Sequence, residues 1–373
     1  MLTEPYNRRS TTGMRRSCLG YAALLGLLGG LSLPLYAAAP AADSDDPALH
    51  TETVDLRQFP ARDVALDAFA RDRFDRVIAF AKPFADQGDA QMQYMLGVAY
   101  ALALPQTLRS GQDSARYIQR AAENGNPYAQ WSMGSPAHCR ALNSCDNADD
   151  WQSQARAGWE ALARQGNAQA MYFDALKGKY WINYVPWFSR QNQLAKLEKA
   201  AEAGSKIAID EWMTRHREAF EKEGGAALVN KAIAFLTPLA EKNNDEAMYW
   251  LAKIYQFYVT PPQIDKSIAL WKKMEERGGV NLGYFLFPVY LEMKKYKESY
   301  IYIYSVEYKK NERFPHYKSL EEEHPDIFTP EVIKALRAQA MERVKQIVAY
   351  TNGAGYQLRH ENDVNYFPAG WGM

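Results

Sequence analysis

Three cysteines in 373 residues are too few for a disulfide framework, and 44 basic side chains against 44 acidic ones leave no excess of either charge. Nucleic-acid binding draws on a concentrated basic field, so this balance gives no reason to expect it. The six histidines, at positions 50, 138, 216, 316, 324 and 360, fall in no metal-ligand spacing. No G-x-S-x-G elbow, Walker loop or dinucleotide-binding glycine fingerprint occurs in the chain. A reaction class has to come from a site, and none is visible. No catalytic residue, metal or cofactor is therefore expected, and the chain reads as a non-enzyme. Long apolar runs are scarce as well: outside residues 18–35 none is long enough to cross a bilayer.

That one run has the flanks of an export signal. Arg8, Arg9, Arg15 and Arg16 precede it, and Ala39-Pro40-Ala41 supplies small residues after it. A basic start, an apolar middle and a small-residue end predict a cleaved signal peptide over residues 1–41. A retained anchor is the alternative, which four glycines and Pro34 within the run weaken. Cleavage removes four arginines and Glu4, so the mature chain carries a net charge of about −3. The expected destination is the periplasm or the exterior, an oxidising space. Cys139 and Cys145, six positions apart, are then expected to form a local disulfide. A zinc site is the rival reading, but His138 is the only neighbouring histidine.

A repeat runs through the rest. Residues 76–100 and 231–255 align without a gap and share eight of 25 positions, among them Pro83/Pro238, Leu96/Leu251 and Tyr100/Tyr255. Weaker copies cover 117–134, 159–175, 197–213 and 268–285. Their landmark is a glycine after a run of helix formers: Gly88, Gly125, Gly166, Gly204 and Gly278, with Asn243 in the fifth place. The spacings are 37, 41, 38, 39 and 35 residues. Glycine with asparagine as second choice is the signature of a left-handed residue ending a helix, so each landmark predicts a turn between two helices. Apolar residues recur at helical spacing on both sides, as with Ile233, Leu236 and Ala240, then Ala247, Leu251 and Tyr255.

The run from Lys231-Ala232 through Phe235-Leu236, Ala240-Glu241, Ala247, Leu251 and Tyr255 resembles the Sel-one-like repeat, a relative of the tetratricopeptide repeat. Ala121-Ala122-Glu123, Gly125, Ala129 and Gly134 match it in the second copy. The resemblance implies an all-α fold, an α/α superhelical repeat solenoid whose concave side holds proteins or peptides. The expected organisation is a signal peptide at 1–41, an extended lead-in at 42–60 and a solenoid at 61–310. A C-terminal capping region at 311–353 and an aromatic tail at 354–373 follow. Thr329-Pro330-Glu331 marks the start of the capping helix, and Asn352-Gly353 its end. The tail, with Tyr356, Tyr366, Phe367 and Trp371, is too aromatic for an idle linker and is expected to fold back.

Function is read from what such a scaffold binds. Tyr296, Tyr300, Tyr304 and Tyr308, four apart, would make one stripe on a helix and are the candidate partner-binding residues. Packing of the stripe against the cap is the competing reading, and the alternation of Tyr300-Ile301-Tyr302-Ile303-Tyr304 also admits a strand. The acidic run Glu321-Glu322-Glu323, with His324 and Asp326, reads as a solvated loop. Exported proteins resembling this family include immunity proteins that neutralise antibacterial effectors of the type VI-like kind, notably phospholipases. A protein-binding immunity role is the first expectation. A scaffold for envelope or exopolysaccharide assembly is the second, and a cell-wall or antibiotic hydrolase the third.

Overall fold

The computed structural model describes residues 56–103, 108–136, 138–140, 142, 145–178, 186–222, 224–278, 282–308, 315–352 and 366–367. The predicted signal peptide, the lead-in up to residue 55 and all of the tail except Tyr366 and Phe367 lie outside the described residues. The end of the lead-in is not extended: Leu56–Gln58 forms a 3-10 turn, closed by the Phe59 N–H donating to the Leu56 carbonyl at 3.2 Å.

Sixteen α-helices follow, and no strand occurs among the described residues. They are α1 (Ala61–Ala70), α2 (Phe74–Asp86), α3 (Ala90–Leu102), α4 (Leu108–Glu123), α5 (Pro127–Gly134) and α6 (Ala148–Arg164). Next come α7 (Ala168–Lys177), α8 (Pro186–Glu202), α9 (Lys206–Phe220), α10 (Gly225–Glu241) and α11 (Asp245–Phe257). The last are α12 (Ile264–Gly278), α13 (Gly283–Glu292), α14 (Tyr296–Glu307), α15 (His316–Glu323) and α16 (Pro330–Asn352). Each helix from α1 to α14 packs against its successor, the nearest-neighbour pattern of an α/α repeat stack. The tyrosine stripe lies on a helix, α14, and not on a strand.

The turns follow one design. Gly88, Gly125, Gly166 and Gly204 have φ of 99°, 85°, 88° and 96°, and Asn243 has 66°. In each, the next residue's N–H reaches back to the carbonyl five positions earlier: Asp89 to Phe84, Asn126 to Ala121, Asn167 to Leu162, Ser205 to Ala200 and Asn244 to Leu239. That is the Schellman closure, which satisfies carbonyls the helix end would leave orphaned. The same five residues then cap the following helix with a side-chain oxygen, as Asn126 accepts from Ala129 N at 3.0 Å and Asn244 from Ala247 N at 2.9 Å. One residue ends a helix and the next starts another. Two further turns use left-handed Asp72 (φ 55°) and Lys294 (φ 58°).

Close packing needs glycine elsewhere. A Cβ on Gly134 would sit 2.5 Å from the Ala148 carbonyl oxygen and 2.8 Å from Gln152 Cγ. Backbone cannot yield as a flexible side chain can, so α5 and α6 would have to move apart. Gly134→Ala is expected to cost about 1–3 kcal/mol, the range for overpacking. A lower urea midpoint at unchanged slope is the checking observation.

The stack ends as a solenoid has to, with its last apolar face covered. Helix α16 lies against α14 and α12, and α15 against α14. Thr329 caps α16, its hydroxyl accepting from Val332 N at 3.4 Å. Tyr300, Ile303, Leu320, Phe328 and Leu336 form a small core of their own there, beside a main core that runs from α1 to α13.

Candidate functional site

Helices two apart also meet: long side chains link even-numbered ones, as Tyr117 with Asp86 and Lys231 with Glu198, while the odd-numbered ones of the stack approach by backbone. Contacts join α1 to α3, α7 to α9 and α9 to α11. Rings close the gaps: Tyr94 on α3 lies 6.0 Å from Tyr128 on α5, and Tyr128 lies 5.4 Å from Phe173 on α7. Tyr249 on α11 reaches Phe285 on α13 at 5.7 Å. The odd-numbered helices therefore form one continuous, crowded inner file.

The residues facing along this file follow from the turns. Six positions after each landmark stand Tyr94, Trp131, Tyr172, Asp210, Tyr249 and Tyr284. Five of the six are aromatic, and the fourth copy alone has a carboxylate. Their exposure changes along the stack. Tyr94 is wholly buried and Trp131 and Tyr172 nearly so, Tyr249 is half-buried, and Tyr284 is exposed. The cause at the first end is Tyr366 and Phe367, far away in sequence. The Tyr366 ring stacks on Tyr128 at 3.9 Å, and its hydroxyl accepts from Gln91 Nε2 at 2.5 Å. Tyr94 donates its hydroxyl to the Tyr366 carbonyl at 2.7 Å. Phe367 meets Phe173 edge-on at 5.3 Å.

At α9 and α11 the file turns polar. Glu246, Tyr249, Trp250 and Lys253 stand at helical spacing on α11, opposite Lys206 and Asp210 on α9. Lys253 Nζ lies 4.6 Å over the Trp250 ring and 5.0 Å over that of Tyr249, a cation held against two aromatic faces. Glu246 is buried, and burial pushes its carboxyl up to about 8, partly opposed by Lys206. Burial lowers the Lys253 ammonium, with Arg217 adding to the effect. Asp210 is exposed to solvent, yet its carboxyl is raised by the protein crowded around it, with Trp250, Lys253 and Lys206 opposing. Tyr172 joins the two halves of the file by donating to Glu211 Oε2 at 2.8 Å.

Comparison with known proteins gives little company. No protein-family model matches the chain, and no curated protein does. Solved structures do match. One of them is a Sel1 repeat protein from Oxalobacter formigenes, 16 % identical over 69 % of this chain and 88 % of that one, with a TM-score of 0.30.

The residues expected from sequence lie elsewhere. Tyr296, Tyr300 and Tyr304 face the cap, and the Tyr308 ring lies 6.2 Å from that of Tyr304. Tyr300 is wholly buried, donates to Glu321 and accepts from Arg337 Nε at 3.0 Å. Tyr304 meets Tyr317 on α15 at 4.9 Å, and Tyr296 meets His324 at 4.0 Å. Tyr296, Tyr304 and Tyr308 keep part of their surface exposed. The acidic run is not a solvated loop. Glu321–Glu323 closes α15, and Glu321 is drawn inward by Arg337 at 3.0 Å, while Glu322 and Glu323 do face water. Among the described residues no group of three or more His, Cys, Asp and Glu is placed to hold a metal, and no helix is long and apolar enough to cross a membrane.

Cys139 and Cys145 are joined by a disulfide, in the segment between α5 and α6 where the repeat spacing is longest. Closing so short a loop contributes about 2 kcal/mol on the chain-entropy estimate. Reduction is expected to lower stability by that amount, and peptide mass mapping of protein purified without reductant should recover the Cys139–Cys145 pair. Two free thiols there would contradict it.

The sequence carried a signal for the inner face that its landmark residues alone did not reveal. The column six positions past each landmark is readable only once the turns assign the helix face. The meeting of Asp210 with Glu246 has no local signal, since each looks like an ordinary helix-surface residue.

Proposed function

We propose that this is an exported scaffold that holds another protein against the inner file of odd-numbered helices. Within that class we infer an immunity protein of the periplasm, neutralising a secreted antibacterial phospholipase effector by direct binding. The observation that carries the binding reading is the inner face itself. A file of aromatic rings leads to an exposed carboxylate, Asp210, opposite Glu246 and Lys253 on the next helix of the file. Stiff aromatic surface beside a placed charge suits recognition of a protein surface, the rings giving contact area and the charge fixing register. The immunity reading adds the export signal expected at 1–41, because an effector acting on lipid from the periplasm is met by an antidote in that compartment.

The test expresses an antibacterial phospholipase effector in the periplasm of a sensitive host, with and without this chain. Rescue of growth, and a complex between the purified proteins, are the expected outcomes. Rescue that persists without any complex would sink direct binding; no rescue would sink immunity.

A further inference from the structure

The contact between the tail and the N-terminal half of the stack has features of a bound ligand. Tyr366 and Phe367 are nine-tenths buried or more, and they touch α3, α5 and α7, none of which is near them in sequence. The main-chain carbonyl of Tyr366 is taken by a side-chain hydroxyl, that of Tyr94, and its own hydroxyl by Gln91. Tyr128, Phe173 and Trp159 supply the rings, with Trp159 stacked 5.1 Å from Phe173. These are the elements of peptide recognition: aromatic pockets for side chains and a polar clamp on the backbone.

We propose that this slot, lined by Gln91, Tyr94, Tyr128 and Phe173, is a binding site for a segment bearing two adjacent aromatic residues. The chain's own Tyr366-Phe367 is its intramolecular occupant. A partner segment of that chemistry competes with the tail. Tethering sets the tail at an effective concentration on the order of millimolar, so a free segment of equal affinity cannot displace it at micromolar levels. Tyr366 and Phe367 thereby raise the threshold for partners at the first end of the inner face. The proposal concerns the slot alone, on the face to which the function above assigns the partner.

The probe is a fluorescent peptide with the sequence of residues 364–370, Val-Asn-Tyr-Phe-Pro-Ala-Gly. Its anisotropy is read against the full chain and against the full chain carrying Tyr366→Ala and Phe367→Ala. Binding at least tenfold tighter to the doubly substituted chain is expected. Adding Tyr128→Leu to that background should abolish it. Equal binding, or none, by a doubly substituted chain that keeps its helical content and cooperative unfolding would overturn the proposal. Should the double variant fail to fold, Phe367→Ala alone is read in the same way. If that variant also unfolds, the pair is a core element and the proposal fails. The effector titration is separate, since either can succeed while the other fails.

Discussion

Tyr128→Ala is expected to lower the free energy of unfolding by about 3–5 kcal/mol, the range for truncating a buried aromatic residue. Tyr128 is 3 % exposed and stands where three helices and the tail converge. Its ring meets Tyr94, Trp159, Phe173, Tyr366 and Phe367, the farthest at 6.0 Å. Removing it opens a cavity that stiff neighbours cannot fill, so the cavity cost adds to the lost transfer energy. Phe257, at 48 % exposure, is the matched control. Phe257→Ala should change stability by less than about 0.5 kcal/mol, as for surface sites in general. Urea unfolding of both proteins makes the comparison. A loss below about 1 kcal/mol for Tyr128→Ala would mean that the tail and the first repeats do not share one core.

The second large effect depends on pH. In the unfolded chain Glu246 ionises near 4.5, and in the folded chain near 8. Below the lower value both states hold the proton and the residue makes no difference. As pH rises between the two, the unfolded chain has released a proton that the folded chain retains, so stability falls with pH. Above the upper value the penalty is constant. Burial is the main cause, Asp210 and Asp245 add to it, and Lys206 and Trp250 oppose it. Lys253 faces the same group from its own helix. Glu246→Gln removes the titration and keeps the shape. Its stability relative to the unsubstituted protein should rise between pH 5 and 8.5, reaching roughly 1–3 kcal/mol at the alkaline end. A difference that stays flat with pH would contradict a buried, protonated Glu246.

The parts of the fold that were readable are those set by local chemistry. Glycine or asparagine after a helix announced five turns, because few other residues tolerate a left-handed conformation at little cost. The turns at Asp72 and Lys294 were not announced; there the surrounding packing holds a residue type that gives no warning. Thr329, Pro330 and Asn352 marked the ends of α16 for the same local reason. The inner face was harder. Tyr300 and Tyr249 are both tyrosines on repeat helices, yet one is sealed under the cap and the other lies half-buried in the inner file. Sequence spacing cannot separate them, since a neighbouring helix decides which ring is covered. The tail's composition declared that it would pack somewhere. Its seat on Tyr94 and Tyr128 is fixed by contacts across some 240 to 270 residues, which leave no periodic trace.

The central claim is that a protein partner sits against the odd-numbered helices. Calorimetric titration of a phospholipase effector from which the chain rescues growth, into the disulfide-intact chain, tests it most directly, with Asp210→Lys and Glu241→Lys as matched charge reversals on exposed residues. Asp210 lies on the inner file and Glu241 at the end of α10, outside it. A one-to-one complex weakened at least tenfold by Asp210→Lys, and less than twofold by Glu241→Lys, is the expected result. Equal effects of the two reversals, or no heat of binding to the unsubstituted protein, would contradict it.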